Sequence, residues 1–204
     1  MITIDEARQY YQGHESSHDF DHVLRVLALA ERIARAEGGD LEVVRAAALL
    51  HDIGRAEEEA TGGDHAAIGA ARAREILAGH PPEKVEAVVT AIASHRFRSG
   101  PPPATPEARA LFDADKLDAM GAIGVARAFA RAGARHRRLW VPPDVAVAQG
   151  DGTPEHTPVH EFIVKLSRLR DAMTTATGRA LAEERHAFMV EFFTRLDAEV
   201  RGER

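Results

Sequence analysis

The stretch Leu41-Glu42-Val43-Val44-Arg45-Ala46-Ala47-Ala48-Leu49-Leu50-His51-Asp52 decides the fold. Asp40 precedes it and can cap the first helical turn with its side chain. Val43, Val44, Ala46, Ala47, Ala48, Leu49 and Leu50 then make the segment apolar on nearly every side. A helix that is apolar all round is buried, so this one belongs at the centre of the molecule. It ends in His51-Asp52, and a buried Asp beside a buried His is costly unless something neutralises it. Adjacent side chains on a helix do not share a face, yet at a helix end both can turn inward on one ion. The bland reading of the pair is a histidine sitting near the negative end of a helix dipole.

Working outward, Gly38-Gly39 end a long helix that starts near Asp19, in which Val23, Leu27, Ala30 and Ala34 keep helical spacing. A short helix is predicted over 3–12, capped by Thr3 or Asp5. Further helices are predicted over 64–77 and 83–94, most of 107–132, and a final pair over 161–173 and 178–201. Residues 57–63 and 141–158 read as loops, the latter a long loop or lid carrying four prolines. No strand-period segment is long enough to trust. The expected fold is all-α, a helical bundle in one domain over 1–204, with a metal-binding core at about 18–120 and a C-terminal helical extension at about 159–202.

Composition agrees with helices. Hydrophobic residues make up 45% of the 204 residues, but aromatics only 5%, so the core rests on Ala, Leu, Val and Ile. There is no cysteine. Disulfides, zinc-thiolate sites and thiol catalysis are excluded, and any metal must be held by His and carboxylate ligands. The net charge of −6 argues against general nucleic-acid binding. No secretory signal is visible at the N-terminus, and no apolar run is long enough to span a bilayer. A cytoplasmic location without a membrane partner is the default expectation.

Two more elements join the His51-Asp52 pair. His18 and His22 lie four residues apart on one helix face, and His22 sits on the side of Val26 and Ala30. In Phe112-Asp113-Ala114-Asp115-Lys116-Leu117-Asp118, acids recur inside an otherwise apolar helix. His22, His51-Asp52 and Asp115, in that order, resemble the HD superfamily of metal-dependent phosphohydrolases. More closely, three stretches resemble the YedJ-like branch of small bacterial HD hydrolases: Ser17 to Val26, Leu49 to Arg55, and Asp113 to Gly124. The tail residues Lys165-Leu166, Leu169, Met173-Thr174, Ala182 and Arg185 also fit that branch.

The resemblance implies an HD-type helical bundle with His22, His51, Asp52 and Asp115 as metal ligands. One divalent ion per chain is expected (Mn, Ni, Co, Fe, Zn or Mg), activating a water that attacks a phosphate ester or anhydride. Asp52, Lys116 and Arg25 are the candidate catalytic residues. His65, His95, Arg55 and Arg96 are candidates for holding the substrate's phosphates. His65 and His95 keep two other readings, ligands of a second metal bridged by Asp52 or ordinary helix-end histidines. His18, Asp113 and Asp118 are candidates for orienting the ligands. The expected partner is a small-molecule phosphate, nucleotide-like, with oligomeric state left open.

Departures narrow the activity. Stringent-response hydrolases of the superfamily carry a Glu-Asp pair where this chain has Arg55-Ala56. Its cyclic-dinucleotide phosphodiesterases carry a paired histidine and a Gly-Tyr-Pro word, and this chain has Ser94-His95-Arg96 and no such word. A phosphodiesterase on cyclic or oligomeric nucleotides stays as the rival, and a nucleotide sensor that does not hydrolyse as the rival from another class.

Overall fold

The computed structural model of the chain describes residues 1–11, 20–96, 100–148, 153 and 156–204. The described residues form helices and no strand, in the all-α class that composition and patterning predict. They divide into two units. One comprises Met1–Lys116 with Thr174–Gly178, the other Leu117–Met173 with Arg179–Arg204.

The first unit opens with α1 (Ile4–Arg8), started by a capping box in which Thr3 and Glu6 satisfy each other's free N–H groups. A 3-10 turn, Gln9–Tyr11, follows it. In α2 (Phe20–Glu37) the buried residues Phe20, His22, Val23, Val26, Ala30, Ile33 and Ala34 follow the helical repeat along one face. Asp40 caps α3 (Leu41–Leu50) by accepting from the N–H groups of Glu42 and Val43, and seven of that helix's residues are buried. The predicted central helix is therefore observed, with α2 packed along it.

Residues 57–63 were expected to form a loop, but most of them lie in α4 (Arg55–Thr61). Glu57 and Glu58 sit in its first turn, where carboxylates meet the positive end of the dipole, and Gly62 ends it at φ +75°. The acidic, Gly-flanked composition mimics a loop while satisfying the rules for helix ends. Next come α5 (His65–Ile76) and α6 (Pro82–Ala93), which pack on each other, with α6 also on α3. Ala46, Ala47, Ala70, Ala73 and Ala91 are all buried here. Small side chains let helices approach closely, which is how a core with few aromatics reaches full density. Next, α7 (Pro106–Asp118) contributes Ala108, Leu111, Phe112 and Ala114 to the buried residues.

The predicted helix over 107–132 is two helices. Gly121 has φ +67°, which no right-handed helix contains, and α8 (Gly121–Ala134) starts there. A Cβ on Gly121 would come within 3.0 Å of Arg185. The expected long loop over 141–158 contains a helix, α9 (Pro143–Ala148), whose first residue is a proline suited to a helix start. Residues 149–152, 154 and 155 of that stretch lie outside the described residues. The expected helix over 161–173 is α10 (Pro158–Val164) followed by a 3-10 segment, Leu166–Ala172, broken at Lys165. The last helix, α11, spans Ala176–Val200. Within the second unit α10 packs on α8, α9 and the 3-10 segment, and Phe162 stacks on Phe193 at 4.4 Å between ring centroids.

Candidate metal centre

The site lies in the first unit and is built from the end of α3. Seven buried apolar residues fix that helix, so His51 at its C-cap and Asp52 in the next turn are delivered into the interior, 0% and 1% exposed. The Tyr11 hydroxyl, itself buried, donates to the carbonyl of Leu49 at 3.0 Å and pins the last turn. Gly54 lets that turn press on α5. A Cβ there would stand 2.3 Å from the carbonyl oxygen of His65. The close approach brings the start of α5, and with it His65, up to Asp52.

His22 reaches the same place from the inner face of α2. Its Nε2 lies 3.3 Å from Nε2 of His51, 3.7 Å from Oδ2 of Asp52 and 3.5 Å from Oδ1 of Asp115. Nδ1 of His51 lies 2.8 Å from the carbonyl of Ala48. A carbonyl only accepts, so Nδ1 carries the proton and Nε2 presents a lone pair. Oδ2 of Asp52 is buried and makes no hydrogen bond. A buried carboxylate oxygen without a partner, facing two imidazole nitrogens, is costly in an empty site. It is what a divalent cation with nitrogen and oxygen ligands requires. The residues fit the expected ion.

Asp52 faces a second pair through its other oxygen. Nε2 of His65 is 3.7 Å and Nε2 of His95 3.6 Å from Oδ1, and these two nitrogens are 3.2 Å apart. Arg55 donates to the same Oδ1 from Nε at 3.0 Å. Nδ1 of His95 donates to the carbonyl of Ile92 at 2.6 Å, and Nδ1 of His65 is 2.9 Å from Oε1 of Glu58. Lys116 donates to the carbonyl of His95 at 2.8 Å and pairs with Asp115. Arg96 lies 3.0 Å from Oδ1 of Asp64, the cap of α5. The structure thus brings His22, His51, Asp52, Asp115, His65, His95, Arg55, Arg96 and Lys116 to one place. Three ligand atoms from His22, His51 and Asp52, and three from Asp52, His65 and His95, each converge closely enough to hold an ion.

The charges are set by that setting. Burial holds His51 down to about 4, more than the nearby carboxylates Asp52 and Asp115 can offset. It is neutral at pH 7, as a ligand must be. Burial works to raise the carboxyls of Asp52 and Asp115. For Asp52, His51, His95 and Arg55 outweigh it, and for Asp115, Lys116 and His22 do, so both sit well below the usual carboxylate range. Burial and the Arg55 charge lower His65 as well.

Other expected residues fall elsewhere. Asp113 is not brought to the cluster. Its carboxylate accepts from the backbone N–H and hydroxyl of both Thr174 and Thr175, at 2.6 to 3.0 Å, and so anchors the segment that starts α11. Asp118 lies in the second unit, where its carboxylate accepts from Arg127 at 2.7 Å. Asp118 lies three residues after Asp115 and is the last residue of α7. Arg25 is half-buried on α2, one turn beyond His22. His18 lies outside the described residues. Glu58 and Tyr11 were missed. Glu58 was hidden by the loop reading of its segment, and the contact of Tyr11 with Leu49 spans 38 residues of sequence.

An all-α chain that buries two histidine pairs around one aspartate at a helix end carries a His/Asp cluster that could hold a metal ion. Residues 19–120, half of the chain, match the HD domain family, and the chain belongs to that family. It is 37% identical over 191 residues to the protein YpgQ of Bacillus subtilis, covering 92% of this chain and 86% of that one. The crystal structure of YpgQ in complex with ADP superposes with a TM-score of 0.75 at 31% identity, over 98% of this chain and 99% of that one. An HD-superfamily hydrolase from Bacillus thuringiensis gives a TM-score of 0.75 at 30% identity, over 97% and 94% of the two chains. Ribonuclease Y of Chloroflexus aurantiacus is 32% identical over 162 residues, 68% of this chain but only 30% of that one.

Proposed function

We propose that the chain hydrolyses a phosphate ester or anhydride bond of a nucleotide, with one divalent ion held by His22, His51, Asp52 and Asp115. The observation that carries this reading is Oδ2 of Asp52, buried without a hydrogen bond between His22 and His51. When bound, the ion would lower the pKa of a water and polarise a phosphoryl oxygen. Arg55 and Arg96 offer guanidinium forks to the phosphates. Lys116, tethered to the His95 carbonyl, supplies positive charge beside Asp115, and Arg25 adds charge from α2. The Nε2 atoms of His65 and His95, 3.2 Å apart beside Asp52, can accept a hydrogen bond from the substrate or its attacking water. The ADP bound by YpgQ supports a nucleotide as the substrate.

The second histidine pair gives a second reading, in which Asp52 bridges two ions. Its geometry is permissive, since both nitrogens lie 3.6 to 3.7 Å from Oδ1. Arg55 weighs against it. Its guanidinium already holds Oδ1 at 3.0 Å, and a second cation there would face like charge. The similarity to ribonuclease Y favours a phosphodiester as the rival substrate.

The experiment is a panel of nucleoside mono-, di- and triphosphates and of cyclic and oligomeric nucleotides, assayed with Mn²⁺, Ni²⁺, Co²⁺ or Mg²⁺. Released phosphate and pyrophosphate are both read. Turnover that falls roughly 100-fold or more in Asp52→Ala is the expected result. Nucleotide binding without turnover across the panel would mean a sensor, and full activity in Asp52→Ala would remove the metal site from the chemistry.

A further inference from the structure

Glu58 touches the site from α4, with both carboxylate oxygens engaged. Oε1 is 2.9 Å from Nδ1 of His65 and 3.7 Å from Nη1 of Arg96, and Oε2 accepts from Nη1 of Arg55 at 3.3 Å. We propose that Glu58 is a positioning residue that fixes His65 in the tautomer with Nε2 unprotonated and holds Arg55 against Asp52. The role rests on the hydrolytic site proposed above.

An ionised carboxylate can only accept, so Nδ1 of His65 must donate to it and Nε2 must carry a lone pair. His95 is fixed in the same sense by the Ile92 carbonyl. Two lone pairs then face each other at 3.2 Å beside Oδ1 of Asp52, poised to take a donor between them. Without Glu58, His65 can place its proton on Nε2 instead, and the acceptor pair is lost. Burial works to raise the Glu58 carboxyl, but the His65 and Arg55 contacts outweigh it and keep the group ionised. The second contact acts on Arg55, which can otherwise swing off Asp52 toward solvent, since its side chain is 24% exposed. One carboxylate thereby sets the direction of both an imidazole and a guanidinium. Histidines in metal sites are commonly oriented by such partners, whose removal costs roughly 10–100-fold in activity or affinity.

The test uses the full chain, as wild type, Glu58→Ala and Glu58→Gln, with ¹⁵N-labelled histidine and His65→Gln to assign the His65 nitrogens. Wild type is expected to show Nδ1 protonated and Nε2 unprotonated at His65. Glu58→Ala is expected to mix the tautomers and to lose about 10–100-fold in kcat/KM for the best nucleotide of the panel. Glu58→Gln keeps an acceptor oxygen, so it restores the tautomer and part of the rate. Melting temperature and tightly bound metal per chain stay at wild-type values in both variants. Unchanged His65 nitrogen shifts in Glu58→Ala overturn the proposal, whatever the activity does. If wild type turns over no nucleotide, the hydrolytic reading falls, and the nitrogen shifts alone decide the role of Glu58.

Discussion

Arg55 holds one carboxylate oxygen of Asp52 at 3.0 Å, while the other is buried without a hydrogen bond. The two oxygens of one side chain are therefore in different electrostatic states. One is neutralised by a guanidinium on its own chain, three residues on. The other has no such compensation.

Metal analysis follows directly. Protein purified without chelators is expected to hold one tightly bound divalent ion per chain, and His22→Ala or Asp52→Ala to hold less. EDTA treatment should lower the melting temperature, because an ion that binds only the folded chain stabilises it by mass action. Elemental analysis with a thermal melt checks both. Two tightly bound ions per chain would favour the bridged reading.

Arg55→Ala separates the same two readings in another way. Loss of the guanidinium leaves Oδ1 of Asp52 facing only His65 and His95 among the site's nitrogen groups named above. The expected outcome is a second equivalent of Mn²⁺ bound in titration calorimetry, together with a KM for nucleotide raised about tenfold or more, as one charge-assisted contact is lost. A stoichiometry and KM identical to wild type would show that Arg55 neither guards Oδ1 nor meets the phosphate.

Stability of the metal-free chain should fall in mild acid. The folded state holds His51 down at about 4, against an ordinary value of 6.5. As pH drops through 6.5 the unfolded chain takes up that proton first, so stability is lost between 6.5 and about 4. The loss is on the order of 3 kcal/mol for this group. Asp52 and Asp115, also held low, extend the loss below the ordinary carboxylate range in the same direction. Urea melts of metal-free protein at pH 7 and pH 5 should show the drop, and His51→Gln should flatten it between those values.

Asp113 was expected to orient the ligands, and its carboxylate instead accepts from Thr174 and Thr175. Asp113→Ala strands four donors that are now satisfied, so the chain should lose roughly 2–4 kcal/mol. Gly178→Ala should destabilise as well, since a Cβ there would stand 2.1 Å from Oδ2 of Asp113. Denaturant unfolding reads the loss. Metal bound per folded chain should stay unchanged, and a drop would return Asp113 to the ligands' surroundings.

Much of the fold was legible in the sequence because its signals are local. Asp40 before a run of apolar residues marks α3, Gly38-Gly39 mark the end of α2, and the turn at Gly79-His80-Pro81-Pro82 marks the approach to α6. The family followed from the order of His22, His51-Asp52 and Asp115 along the chain. Where local signals compete, as in the acidic segment around Glu58 or at Gly121, composition alone misled, because loops and helix ends use the same residues.

Tertiary structure decided the partnerships. The sequence placed Asp113, Asp115 and Asp118 on one short helix, with Asp115 as the ligand and the other two beside it. Only packing sends Asp115 to His22, Asp113 to the threonines before α11, and Asp118 to Arg127. The sequence likewise grouped His22, His51, Asp52 and Asp115, through their resemblance in order and spacing to the HD superfamily. Which oxygen of Asp52 stays unpaired, and that Glu58 directs His65, depends on distances between segments that the chain order does not contain. Those distances are set by close helix packing, above all where Gly54 lets the turn after α3 meet the start of α5.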